Sequence, residues 1–131
     1  MAPRASMGPL NGHGNARGIA TAQSVLTSGG VGDVRLMSDA GRQRALEHET
    51  AGLDLVLDIP LRWGMGYCLN NEIVPASGGT RVAHWGGGGS SMSFVDLDHR
   101  VSFGYVPNRS ITGAHEQDRS LRLLNELYLA L

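Results

Sequence analysis

Lysine is missing altogether: all eleven basic residues of this 131-residue chain are arginines. Chemistry that needs a lysine, as Schiff base or as general base, is therefore closed to this chain acting alone. The absence, beside abundant Ala, Gly and Arg, fits the codon usage of a GC-rich genome. Cysteine is nearly missing too. Cys68 is the single one, so no intrachain disulfide can form and no Cys-x-x-Cys pair exists. Charge is sparse and balanced, at 18% charged residues and a net charge of −1. No basic stripe interrupts that balance, so the footprint expected of a nucleic-acid binder is not there. No apolar run reaches the length of a membrane span. Met1 to Pro9 has no apolar core of a secretion signal, which leaves the compartment open with the cytoplasm as default.

What is abundant is glycine. Nineteen glycines are about twice the average usage and argue against a helical bundle. The breakers Pro3, Gly8, Pro9, Gly12 and Gly14 make residues 1–14 a flexible, loop-like segment. Residues 15–131 then read as one partial domain. Asn15 is a good N-cap for a helix over Ala16 to Thr27, ended by Gly29-Gly30. Val34 to Met37 is a short extended piece, and Ser38 caps a second helix from Asp39 to about His48. Leu53 to Ile59 is a loop or short strand that Pro60 breaks.

Strand signals follow at Trp63 to Leu69, Arg81 to Trp85, Ser91 to Leu97 and Val101 to Val106. Hairpin-length links make the last three antiparallel neighbours. Gln117 to Leu131 is a strongly amphipathic helix, with Leu121, Leu124, Tyr128 and Leu131 on one side and Leu123 and Leu127 widening it. The expected fold class is α+β: an antiparallel sheet of about three to four strands packed with helices, including the C-terminal one.

The stretch most suggestive of a site is Arg81-Val82-Ala83-His84-Trp85-Gly86-Gly87-Gly88-Gly89-Ser90. Its glycines exceed what a turn needs and suggest close backbone approach or positive φ. A phosphate cradle would require a following helix and ideally a lysine. A strand follows here, so a glycine-rich hairpin with a bulge is the simpler reading. The five histidines, His13, His48, His84, His99 and His115, have no zinc-site spacing, so no metal and no cofactor are expected. Ser90, Ser91 and Ser93 lie near His84 in sequence, but none occupies a Gly-x-Ser-x-Gly elbow.

From Asn15 onward the chain resembles the C-terminal part of the serine β-lactamase-like superfamily, of the class C β-lactamase and family VIII carboxylesterase type. Four stretches carry the resemblance: Gly14-Asn15-Ala16-Arg17-Gly18-Ile19-Ala20; Arg35-Leu36-Met37-Ser38; Arg62-Trp63-Gly64-Met65-Gly66-Tyr67; and the ending from His84-Trp85-Gly86 through Phe94-Val95-Asp96 to Tyr105-Val106-Pro107-Asn108-Arg109. Leu97 stands where the family often has Pro. Order and spacing together make the resemblance specific across nearly the whole chain.

The resemblance implies a serine hydrolase, an esterase or amidase acting on a small-molecule ester or amide through an acyl-enzyme. It implies three catalytic-site residues: His84 to orient substrate, Gly86, and Gly87 as a backbone oxyanion-hole donor. It also implies what is missing. The family's Ser-x-x-Lys cannot exist here, and Tyr67, Tyr105 and Tyr128 are not in Tyr-x-Asn motifs. The chain is thus expected to be inactive alone, with self-association or pairing with the missing N-terminal half. An alternative is a non-catalytic module that complements a separate nucleophile-bearing chain. A third reading is a self-sufficient hydrolase using His84 with Ser90 or Ser91.

Overall fold

The computed structural model describes residues 12–69, 79–87, 90–109 and 118–131. The expected segment at residues 1–14 lies mostly outside these, as do Gly88, Gly89, His115 and Gln117. Three helices and seven strands follow in the order α1 (Ala16–Ser28), β1 (Gly30–Val31), β2 (Val34–Arg35), α2 (Asp39–Ala45), β3 (Thr50–Leu53), β4 (Pro60–Trp63), β5 (Val82–Gly86), β6 (Met92–Asp96), β7 (Val101–Tyr105) and α3 (Asp118–Leu129). The α+β expectation holds, with β5-β6-β7 as an antiparallel three-stranded sheet and two antiparallel ribbons, β1-β2 and β3-β4.

Local chemistry explains the helix ends. Asn15 accepts from the Gly18 N–H at 2.8 Å and starts α1. Gly29, at φ 79°, ends it, its N–H donating to Val25 O at 2.7 Å. Ser38 opens α2 in the same way, accepting from Gly41 N–H.

Two regions differ from expectation. Pro60 does not only break the preceding run; it opens β4 opposite Leu53, a first-strand position where no ladder donor is lost. The strand expected over Trp63 to Leu69 stops at Trp63. Gly64 to Tyr67 bends instead, with Gly64 N–H donating to Tyr67 O at 2.8 Å and Gly66 at φ 81°. A Cβ on Gly64 would lie 2.8 Å from Ala45 O, so only glycine lets the bend pack under α2.

The three-stranded sheet is covered on both faces. One face carries Ala83 and Val95, packed with Leu26 of α1 and Ala45 of α2. The other carries Val82, Met92 and Phe94, packed with Leu124 of α3. The register alternates them: Ala83 faces Val95 and Ser102, while His84 faces Phe94 and Phe103. α1 crosses β7 so closely that a Cβ on Gly104 would sit 2.4 Å from Ala16 O. Beside that crossing Ser102 Oγ donates to Ala20 O at 2.6 Å. In α3, Leu124 is buried and Leu121, Leu127 and Tyr128 pack beside it, whereas Leu123 and Leu131 are exposed.

A buried carboxylate ties the far end of the sheet to α3. Asp96 is fully buried. It accepts from the backbone N–H of Asp98 and of His99, and lies 2.8 Å from His99 Nδ1. Tyr128 Oη donates to it at 2.7 Å. Burial, and then the bond to Asp96, push the Tyr128 hydroxyl far above its ordinary range. A Cβ on Gly79 would meet Asp96 Oδ2 at 2.6 Å, so a glycine is needed over this carboxylate.

Candidate active-site cleft

The glycine-rich stretch does form a wall of a cleft. The cleft has a volume of about 580 Å³ and lies on the α1 side of β5. Ile19 and Gln23 of α1, Tyr67 and Cys68 of the bend, and Trp85 with Gly86 of β5 bound it. Trp63 and Trp85 tilt against each other with ring centroids 5.0 Å apart. Trp85 remains 43% exposed, which gives the cleft a large apolar face open to solvent.

The backbone of β5 obeys strict alternation, and this decides which amides can reach the cleft. Leu97 N–H donates to Arg81 O at 3.0 Å and Gly87 N–H donates to Ser91 O at 2.9 Å. With the register His84 opposite Phe94, the N–H groups of residues 81, 83, 85 and 87 therefore point toward β6. Those of Val82, His84 and Gly86 point to the outer edge. His84 N–H confirms this by donating to Cys68 O at 3.0 Å, where Cys68 bridges β4 and β5.

The three expected site residues separate on this geometry. Gly86 lies at the outer edge and lines the cleft. Gly87 lines it too, but its N–H is occupied by the hairpin bond to Ser91 O. Gly87 N–H is thus engaged within the hairpin, and the outward amide at this end of β5 is that of Gly86. Glycine at 87 has another use, since a Cβ there would lie 2.5 Å from Ser91 Oγ.

His84 is 6% exposed, shares the α3 face with Val82 and Phe94, and still lines the cleft with Gly86 and Gly87. The same register puts Ser93, and Ser91 beyond it, on the opposite face from His84. A Ser91–His84 pair is thus divided by the sheet. Ser90 is buried in the turn at φ 66°, its N–H donating to Gly87 O at 3.0 Å.

Sequence reasoning missed Trp63, Tyr67 and Cys68 as cleft residues. The signal lies in the Trp-Gly-x-Gly-Tyr pattern, whose glycines permit a bend that doubles back on the edge of β5 where a continuous strand is expected. Among the described residues there is no group of His, Cys, Asp and Glu that could hold a metal ion. No helix among them is long and apolar enough to cross a membrane.

The chain is similar to several solved structures. A novel penicillin-binding protein homolog from Caulobacter crescentus is 31% identical, with a TM-score of 0.76 over 88% of this chain and 32% of that one. A family VIII carboxylesterase is also 31% identical, with a TM-score of 0.75 over 90% of this chain and 32% of that one. EstA from Arthrobacter nitroguajacolicus Rue61a, at 20% identity, shares the fold with a TM-score of 0.66 over 88% of this chain and 32% of that one. The chain thus spans about a third of the length of each of these proteins. No protein-family model matches it, and the comparison with curated proteins gives no match.

Proposed function

We propose that this chain is the C-terminal, oxyanion-side portion of a β-lactamase-like serine hydrolase, a reading supported by its likeness to a third of a penicillin-binding protein homolog and of a family VIII carboxylesterase. The substrate class is a small ester or amide, and the reaction runs through an acyl-enzyme. A Ser-x-x-Lys pair cannot form within this chain, which has no lysine, so the nucleophile and its lysine base are supplied by residues outside it. Its own contribution is the outer edge of β5. There an amide held rigidly in a strand points at the place where negative charge develops on the substrate carbonyl, and no reorganisation is needed as the charge forms. Trp85, Trp63 and Tyr67 supply apolar area for the acyl or alcohol part.

The observation that carries this reading is the alternation along β5. His84 N–H is taken by Cys68 O, and the next outward amide, that of Gly86, opens on the cleft. His84, largely buried opposite Phe94, also lines the cleft, so it both fixes the strand and borders the substrate space.

The test is hydrolysis of a p-nitrophenyl butyrate solution by the purified chain, with His84→Ala as comparison. The expected result is no turnover above buffer for either protein. Turnover by the native chain that vanishes in His84→Ala overturns the proposal and favours a self-sufficient hydrolase.

A second reading, a non-catalytic module that complements a separate nucleophile-bearing chain, is favoured by exposed apolar side chains such as Leu55 and Val56. Co-expression with the N-terminal two-thirds of a family VIII carboxylesterase separates the two. Recovery of esterase activity supports a catalytic portion; a stable complex without activity supports the module.

A further inference from the structure

Away from the cleft, three arginines distant in sequence meet around one small cavity. It has a volume of about 210 Å³ and is lined by Arg42 of α2, Arg81 just before β5 and Arg100 in the β6–β7 turn, together with Thr27, Gln43 and Asp39. From these residues we infer a binding site for a tetrahedral oxyanion, inorganic phosphate or a small phosphomonoester, independent of the hydrolase cleft.

The donors show why the cavity suits an anion. Arg42 is held in place by its own bonds: Nη1 donates to Thr27 O at 2.9 Å and to Leu26 O at 3.3 Å, closing the carbonyl end of α1. Its Nε–H is buried and, among the described residues, has no acceptor. That atom has almost no accessible surface and lies against Gly29, so Arg42 forms a fixed, positively charged wall of the cavity and does not donate into it through Nε. Arg81 is anchored through Nε to Asp98 Oδ1 at 2.7 Å. Arg100 has no ion pair among the described residues and projects from a turn at φ 57°.

Charge and shape select the ligand. Two carboxylates, Asp39 and Asp98, stand against three guanidinium groups, leaving the cluster formally positive. Asp39, exposed at the rim, pairs directly with Arg42 Nη2, and Asp98 pairs with Arg81, so Arg100 carries the uncompensated charge of the cluster. The guanidinium groups come from three elements and therefore from three directions. A tetrahedral anion offers oxygens to all of them, whereas a planar carboxylate matches one fork. The volume admits a phosphate group with a small substituent.

The experiment is isothermal titration of the full chain with inorganic phosphate, and separately with glycerol phosphate, at constant ionic strength set by chloride. Saturable binding is expected; the tighter of the two ligands tells which source the site fits. Arg100→Asn keeps a residue tolerant of positive φ and removes one charged donor, and should weaken binding about tenfold. Arg17→Gln, on the exposed side of α1, should leave it unchanged. Heat that chloride alone reproduces, or equal affinity in Arg100→Asn and the native chain, overturns the site.

Discussion

The β5-β6-β7 sheet and the β3-β4 ribbon are both antiparallel and both rich in apolar residues, yet they end in opposite states. In the sheet, Val82, Met92, Phe94 and Val95 are all at most 2% exposed. In the ribbon only Leu61 is buried, and the tip exposes Leu55 at 95% and Val56 at 90%. Pairing is equally regular in both. What differs is cover: the sheet has α1 and α2 on one face and α3 on the other, while among the described residues the ribbon has no second layer along most of its length. Hydrogen bonding orders a strand pair, and only a layer on its face takes its side chains out of water.

The tip of the ribbon shows that local backbone bonds can hold apolar residues in water. Asp54 Oδ1 accepts from the N–H groups of Val56 and Leu57 at 2.9 and 3.0 Å. These bonds, that of Leu57 first, lower the Asp54 carboxyl below its usual range. Asp58, at φ 56°, closes the turn with its N–H on Asp54 O. The tip is thus shaped independently of any core.

The strongest way to break this comparison is substitution at equal chemistry in the two regions. Phe94→Ala, at the centre of the sheet, should lose about 4 kcal/mol of stability in urea unfolding. A loss no greater than that of a tip variant would refute the claim that cover decides.

A second, smaller effect concerns the polar end of the sheet. Burial raises the Asp98 carboxyl, but the Arg81 guanidinium and the N–H groups of Thr80 and Arg81 outweigh it and bring it from 3.8 down to about 2. A carboxyl depressed by folding stabilises the native state above its ordinary pKa and loses that contribution as pH falls toward the folded value. Urea midpoints of the native chain and Asp98→Asn should therefore differ by a constant amount above pH 3.8 and converge toward pH 2. Curves that stay parallel down to that pH would remove Asp98 from the account.

The smallest change in stability is expected at the ribbon tip. Leu55→Ser with Val56→Ser should move the unfolding free energy by no more than about 0.5 kcal/mol. The same pair should reduce association seen by light scattering. Unchanged association would show that the tip is not the adhesive surface.

Much of this architecture was legible. Asn15, Gly29 and Ser38 announce the helix ends through cap chemistry, and Ser91 to Leu97 announces a strand. Two things were not legible. The bend at Gly64 to Tyr67 depends on Ala45 O lying where a Cβ would be, a contact made only after folding. The phase of β5 depends on which amide meets β6, and the side chains of Val82 to Trp85 do not report which edge their own N–H groups face. The same limit hid the arginine cavity, because residues 42, 81 and 100 form no cluster along the chain.

The phase of β5 has a consequence for how this segment can vary. His84 is clamped by Cys68 on the outer edge, so the strand counts in twos from that point. Replacing a residue between His84 and Gly86 changes a side chain and leaves the count intact. Adding or removing one turns the Gly86 amide inward and offers its neighbour to the cleft. Length, more than identity, is what this edge must conserve.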